Sequence, residues 1–264
     1  MSKFDAANVA RMERMYASAP IAEQRVKTRA ALAPHAGEHG LEVGCGIGFL
    51  ACEIAREVAP DGHIVGVDNS PDMIAAAQAR ADREGLSSSP EFMIGDAARL
   101  EFPSGQFDFV VAVQVYLYVA HVERALAEAA RVLKPGGRLV VVDTDWDSCV
   151  WLTSDRARHR RILEARLGEL AQPHLPPVLP TLLRRAGLTL ESVEVQPILN
   201  RRYETNSFSA GLIDATPKIV TRFGIDAAEV EAWVHDLRNR VSEDDYFFSL
   251  NRYLFLARKN EPQL

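Results

Sequence analysis

Between Leu41 and Asp143 the chain alternates two hydrophobic patterns: short runs of consecutive apolar, often β-branched residues, and longer stretches whose apolar positions recur every three or four residues. The first pattern predicts buried strands and the second predicts amphipathic helices. Strands are expected at residues 41–43, 63–67, 91–94, 107–113 and 138–143. The run at 107–113, FDFVVAV, is apolar enough to be covered on both faces. A helix with Leu50, Ile54 and Val58 on one stripe follows the first strand. A second opens at Ser70-Pro71, a cap followed by a first-turn proline, and closes at Gly85. A third, over residues 121–133, is stopped by Lys134-Pro135-Gly136-Gly137. Strand and helix in alternation predict a mostly parallel sheet with helices on both faces, an α/β fold.

After Asp143 the alternation loses its regularity. Helices are expected at 155–170 and 181–187, and strands at 188–198 and 253–257. The residues between those last two strands carry two more helical patterns, at 207–222 and 227–241. A segment of that size is too long for a plain connection, which makes it a candidate lid or substrate-binding unit.

A chain of 264 residues that is 47% hydrophobic and 25% charged can bury one large core with a smaller appended unit. Its net charge of −6 offers no electrostatic reason to bind a phosphate backbone, and the pairs Arg184/Arg185 and Arg201/Arg202 are too short to form a basic stripe. No segment approaches the length of a membrane span and the amino terminus has no apolar leader, so a cytoplasmic location is expected. Cys45, Cys52 and Cys149 form no CxxC pair or regular framework and are read as reduced, apolar thiols.

The candidate chemistry lies where the first strand ends. Gly44-Cys45-Gly46-Ile47-Gly48 joins a strand to a helix, an arrangement that presents backbone N–H groups to a ligand without side chains in the way. Asp68, 20 residues beyond Gly48, ends the next strand, where a carboxylate can accept from both hydroxyls of a ribose. Together they point to an adenosine-type cofactor. A nicotinamide fingerprint requires a third glycine where Phe49 stands, and no Gly-Lys-Ser/Thr follows any glycine loop, which excludes a P-loop.

The segments LEVGCGIGFL, GVDNSPDM, GDAARLEFPSGQFDFVVAV and RVLKPGGRLVVVD, in this order over about residues 40 to 145, resemble successive motifs of class I S-adenosylmethionine-dependent methyltransferases. The likeness is greatest to the small-molecule branch that includes ubiquinone and menaquinone biosynthesis enzymes. It implies a Rossmann-like sheet of seven mostly parallel strands with helices on both faces. An N-terminal helical flap is expected over residues 1–35, a cofactor-binding core over 36–200 and 250–260, and a helical insertion over 201–249 as a candidate acceptor lid.

The resemblance implies S-adenosylmethionine as cofactor, S-adenosylhomocysteine as product and a small-molecule acceptor, natural-product or quinone-like. It assigns Glu42, Gly44, Cys45 and Gly46 to the methionine end of the cofactor, Asp68 and Asn69 to the ribose, Met73, Asp96 and Ala97 to the adenine, and Gln114 to the methionine moiety. Tyr16 and Arg25 would close over the cofactor from the flap, or lie as surface residues on an amphipathic helix.

Displacement at a sulfonium methyl is mainly a matter of positioning. Where the acceptor carries a proton, Tyr116 and His121 are the candidate catalytic residues. The first reading of His121 is that it caps or begins the following helix, and Tyr116 and Tyr118 are equally core or pocket walls. Asp143, Asp145 and Asp147 alternate along a strand but lack the companions of a recognisable metal loop, so a solvated strand end and no metal are expected. Two other classes stay open: a cofactor-binding enzyme running aminopropyl transfer or a rearrangement, and a non-catalytic protein on the same fold.

Overall fold

The computed structural model describes residues 12, 13, 15–86, 89–240 and 245–261. One seven-stranded sheet, in the order β3-β2-β1-β4-β5-β7-β6, organises them. Its strands are β1 (His39–Val43), β2 (His63–Asp68), β3 (Glu91–Ile94), β4 (Phe107–Val113), β5 (Leu133–Trp151), β6 (Leu188–Asn200) and β7 (Phe248–Lys259). The first five run parallel, and β7 lies antiparallel between β5 and β6. Chain order reverses between β1 and β4, the switch point at which open α/β sheets leave a ligand crevice beyond the carboxyl ends of their strands.

Helices α1 (Ala19–Leu32), α2 (Phe49–Val58), α3 (Pro71–Arg83), α4 (Val122–Val132), α5 (Arg156–Leu167), α6 (Leu175–Arg185), α7 (Phe208–Val220) and α8 (Ala227–Arg238) complete the chain. Period-two alternation sends β5 residues Leu139 and Val141 into a core shared with α4 and α6, while Val140 and Val142 meet Leu32 of α1 and the apolar stripe of α2. The seven-stranded Rossmann-like fold expected from the sequence is the one observed.

A third apolar cluster stands on the far ends of β5, β6 and β7. There Trp146, Trp151, Ile198 and Phe248 pack with Ile162 of α5, Phe208 and Leu212 of α7, and Trp233 and Leu237 of α8. The two helices of residues 201–249 are thereby anchored through buried tryptophans on elongated strands. The expected flap over 1–35 is described from residue 12, with residue 14 excepted, and the remainder of it lies outside the described residues, as does Val241 of the helix expected over 227–241.

Several boundaries differ from the sequence pattern. Strand β5 is 19 residues long, not six, and takes in Lys134-Pro135-Gly136-Gly137 as an irregularity, with Gly136 at φ +73°. It continues past Asp143 because β7 keeps pairing with it as far as Trp151↔Phe248, supplying backbone partners that side-chain patterning does not reveal. Helix α6 starts at Leu175, earlier than expected, because Pro176 and Pro177 occupy the first turn, where an amide is dispensable. Asp143 is not a solvated strand end: it is fully buried.

The aromatic cluster carries a titratable group. His159 of α5 stacks on Trp233, whose indole N–H donates to His159 Nδ1 at 3.0 Å, while Trp151 meets it edge-on. Burial lowers the imidazole pKa to about 4, with Asp236 opposing the shift. The native state therefore refuses a proton that the unfolded chain accepts from about pH 6.5 downward, so stability falls with pH between about 6.5 and 4 and levels off below. The loss at the bottom of that window is about 3 kcal/mol. Thermal denaturation of wild type and His159→Asn, whose amide oxygen can still accept from Trp233, checks this: the variant should show the shallower decline, and equal slopes would show that His159 is not the titrating group.

Candidate functional site

The chain leaves β1 through three glycines in left-handed conformation, Gly44 (φ +70°), Gly46 (φ +52°) and Gly48 (φ +78°), before entering α2. Gly44 and Cys45 donate their N–H groups to the Val67 carbonyl at 2.7 and 2.9 Å, tying the turn to the end of β2. A Cβ on Gly44 would lie 2.3 Å from Val115, and one on Gly48 2.9 Å from Ala77, so both are packed against neighbours. Over Gly46, among the described residues and apart from its chain neighbours, no atom lies within 4 Å of the Cβ position. The loop is thus closed on two sides and open at its centre.

Asp68 at the tip of β2 spans this opening. Its Oδ2 accepts from Gly46 N–H at 3.0 Å and its Oδ1 from Ser70 N–H at 2.9 Å. Burial raises its pKa, against the pull of these N–H groups and that of Asn69. Asn69 is exposed, and Met73 is buried in the first turn of α3, its N–H donating to Ser70 Oγ. Glu42 lies within β1, 4% exposed, with Oε2 buried and without a hydrogen-bond partner. Burial lifts its carboxyl well above the usual range, with the Ala51 N–H opposing and Glu53 and Asp68 adding to the rise.

Gln114, immediately past β4, holds φ +59°, a left-handed conformation costly to a non-glycine residue. Its N–H and its Nε2 both donate to the Val142 carbonyl, at 2.7 and 3.2 Å, and its Oε1 accepts from Thr144 Oγ1 at 2.5 Å. Asp96, just beyond β3, is exposed; its Oδ1 accepts from Ala98 N–H at 2.8 Å, and Ala97 between them is half-buried. Gly44, Asp68, Asp96 and Gln114 therefore stand at the carboxyl ends of four adjacent strands around the switch point.

Tyr16 and Arg25 are brought to the entrance of α2. Tyr16 meets Phe49 edge-on and its carbonyl accepts from Arg25 Nη1 at 2.6 Å; Arg25 lies over the Phe49 ring and pairs with Glu53 at 2.9 Å. Sequence reasoning missed Arg80. From α3 it donates to the Ile47 carbonyl at 3.0 Å and lies 3.4 Å from the Phe49 centroid, bracing the glycine loop from behind. A signal was present: Arg80 falls on the buried stripe of α3 with Met73, Ala77 and Ala81.

The two candidate catalytic residues are not brought together. Tyr116 is fully buried in the main core with its hydroxyl unpartnered, and burial together with nearby Asp143 raises its pKa strongly. His121 is exposed at the start of α4 and makes no side-chain cap there. Asp143 faces the N–H groups of Val115, Tyr116 and Leu117, none in hydrogen-bonding geometry, and burial raises its pKa well above the carboxylate range. Two surface clefts on the helical cap formed by α5, α7 and α8, one beside Asp236 and Arg240 and the other beside Asp214 and Arg238, share no residue with the glycine loop. The polar residues converging at the strand ends mark the site better than these clefts do.

Residues 41–141 match the family described as "Methyltransferase domain". The chain is 42% identical over 86% of its length to an uncharacterized 37.1 kDa protein of transposon TN4556 from Streptomyces fradiae, of which it covers 64%. It is 38% identical over 40% of its length to a demethylmenaquinone methyltransferase of Symbiobacterium thermophilum, covering 43% of that protein. It thus spans less than two thirds of the curated relatives it matches. Among solved structures, phosphoethanolamine N-methyltransferase 2 of Haemonchus contortus in complex with S-adenosyl-L-methionine aligns over 98% of this chain and 58% of its own, with a TM-score of 0.64 and 19% identity. The [4+2]-cyclase SpnF aligns over 91% of this chain and 81% of its own, with a TM-score of 0.62 and 26% identity. The glycine turn, its acidic partner on β2 and the match to the methyltransferase domain family coincide on residues 41–141.

Proposed function

We propose that this protein binds S-adenosylmethionine across the carboxyl ends of β1 to β4 and transfers its methyl group to a small organic acceptor held under α7 and α8. The observation that carries the reading is the open space over Gly46, bordered by a carboxylate already engaged with the Gly46 N–H. The buried, unpartnered Glu42 Oε2 at the same strand end supplies an acceptor for a cationic or N–H group.

In this reading Gly44, Cys45 and Gly46 receive the methionine end with Glu42 beneath them. Asp68 and Asn69 take the ribose hydroxyls. Asp96 and Ala97 meet the adenine edge, and Met73 supports it from within α3. Gln114, held in its strained conformation by Val142 and Thr144, orients the methionine moiety from β4. Tyr16 and Arg25 close the entrance from the flap. The cofactor supplies an activated sulfonium methyl, and the protein's part is to hold the acceptor in line and exclude water. His121, solvent-facing, is the group we assign to accept an acceptor's proton, while Tyr116 keeps its own proton and serves as a wall.

A second reading rests on SpnF, a cyclase that shares the fold: the cofactor site would be kept while another reaction runs beside it. Incubation with S-adenosylmethionine and a panel of phenols, quinols and amines separates the two. Methyl transfer predicts acceptor-dependent S-adenosylhomocysteine together with a product heavier by one CH2 unit. An acceptor rearranged while S-adenosylmethionine stays intact would favour the second reading.

Two glycine variants test the cradle itself. Gly46→Ala meets open space and should cost only the left-handed backbone penalty, about 1 kcal/mol, yet place a methyl group where the ligand belongs. Gly44→Ala adds a clash with Val115 and should lose substantially more stability. Thermal denaturation and S-adenosylhomocysteine binding should therefore rank the pair oppositely: Gly46→Ala near wild type in melting but impaired in binding, Gly44→Ala impaired in melting. Full binding by Gly46→Ala would remove the loop from the site.

A further inference from the structure

A polar row crosses the sheet under the cap. Thr144 on β5 and Gln196 on β6 are both register partners of Arg252 on β7, so the three side chains issue from one line on one face. All three are buried, at 1%, 5% and 4% exposure. Thr144 connects the row to Gln114 on β4. Arg252 donates to the Gln24 side chain of α1 through Nη1 and lies 4.9 Å from the centroid of the Phe208 ring of α7.

What the row lacks is a counter-ion. No carboxylate among the described residues comes within ion-pair distance of Arg252, and its Nε has no hydrogen-bond partner. The neighbouring Gln196 leaves both its amide nitrogen and its amide oxygen unpartnered, and Trp146 of the cap cluster leaves its indole N–H so. The charges Arg252 senses are those of Tyr16, Tyr118 and Asp143, and burial lowers its pKa to about 10. An unpaired buried charge is destabilising, and a row of unmade hydrogen bonds adds to that. Such an arrangement is stable in use when a ligand supplies the missing anion.

The cofactor is not placed to supply it. Arg252 stands three strands from the glycine loop along the order β1-β4-β5-β7, about 14 Å at ordinary strand spacing. It lies instead between the sheet and the cap, beside Phe208. We propose that Arg252, with Gln196 beside it, is the specificity-determining anchor for the acceptor, which carries an anionic oxygen, a carboxylate or phenolate, on an apolar or aromatic body. This rests on the methyl-transfer reading for the identity of the ligand as acceptor. Phe208 and Trp146 cover the apolar body, and the guanidinium selects for charge.

The test is calorimetry on protein saturated with S-adenosylhomocysteine, using benzoate, 2-naphthoate and 4-phenylbenzoate, each against its primary amide, and 4-nitro-1-naphthol above and below its own ionisation, which lies well below that of Arg252. A charge-assisted hydrogen bond in a dry site predicts that at least one anion binds about ten- to a hundredfold more tightly than its neutral counterpart. The carboxylate and naphthol arms show which anionic oxygen is preferred. Arg252→Met should abolish the preference and Arg252→Lys should retain part of it, both with S-adenosylhomocysteine affinity unchanged. Equal binding of every anion and its neutral partner to the wild type, or a preference that survives in Arg252→Met, overturns the proposal, and the wild-type comparison stands even if a variant does not fold. Failure of S-adenosylhomocysteine to bind would instead strike the methyl-transfer reading, so the two fail separately.

Discussion

The pair of hydrogen bonds through which Asp68 holds Gly46 and Ser70 is the constraint on which the site depends. One carboxylate fixes the centre of the glycine turn at the end of β1 and the cap of α3 at the end of β2, so two strand ends and two helix starts share one anchor. The turn can come so near only because Gly44 and Gly48 have no Cβ to strike Val115 and Ala77. Arg80 then reaches across from α3 to the Ile47 carbonyl and the Phe49 ring, so the loop is braced from the same helix that Asp68 helps to start. A rigid backbone cradle at the switch point is preorganised: little ordering remains to be done when a ligand arrives.

The elongated strands β5 and β7 carry the sheet beyond the length of its parallel members. Trp146, Trp151 and Phe248 at their far ends give α5, α7 and α8 an apolar surface to pack on, and the cap is thereby fixed over strands that the cofactor cradle does not use. Between cradle and cap the chain keeps polar side chains where packing alone would favour apolar ones: Thr144, Gln196 and Arg252 on one row, Asp143 and Tyr116 in the main core. Buried polar groups left without partners cost stability, and among these Gln196, Asp143 and Tyr116 leave side-chain polar atoms unpartnered, as does the Nε of Arg252.

Much of the fold was legible because local pattern and tertiary environment agree in the first half. Strands at 63–68 and 107–113 are short apolar runs buried within the sheet, the one at 91–94 is a short half-exposed edge strand, and their ends are marked by Asp68, Gly95 and Gln114. The second half was harder for a physical reason. Residues 144–151 become strand through pairing with β7, and that partner lies about a hundred residues away in the chain. The three prolines of residues 175–180 mask a helix whose first turn tolerates Pro176 and Pro177 and which accommodates Pro180 in its interior. The glycine turn and its acidic partner are legible because the signal is local: Gly44, Gly46 and Asp68 lie within 25 residues of one another. The sequence reading does not single out Arg252, whose signal is positional: in NRYLFLA it keeps the phase of Leu250 and Leu254, an arginine on an apolar face of a strand.

The most direct measurement is titration calorimetry of S-adenosylmethionine and S-adenosylhomocysteine into the wild type and Asp68→Ala. The account predicts micromolar binding, on the order of −8 kcal/mol, weakened at least about tenfold in the variant through the loss of charge-assisted hydrogen bonds. Folded wild-type protein that binds neither ligand would contradict it.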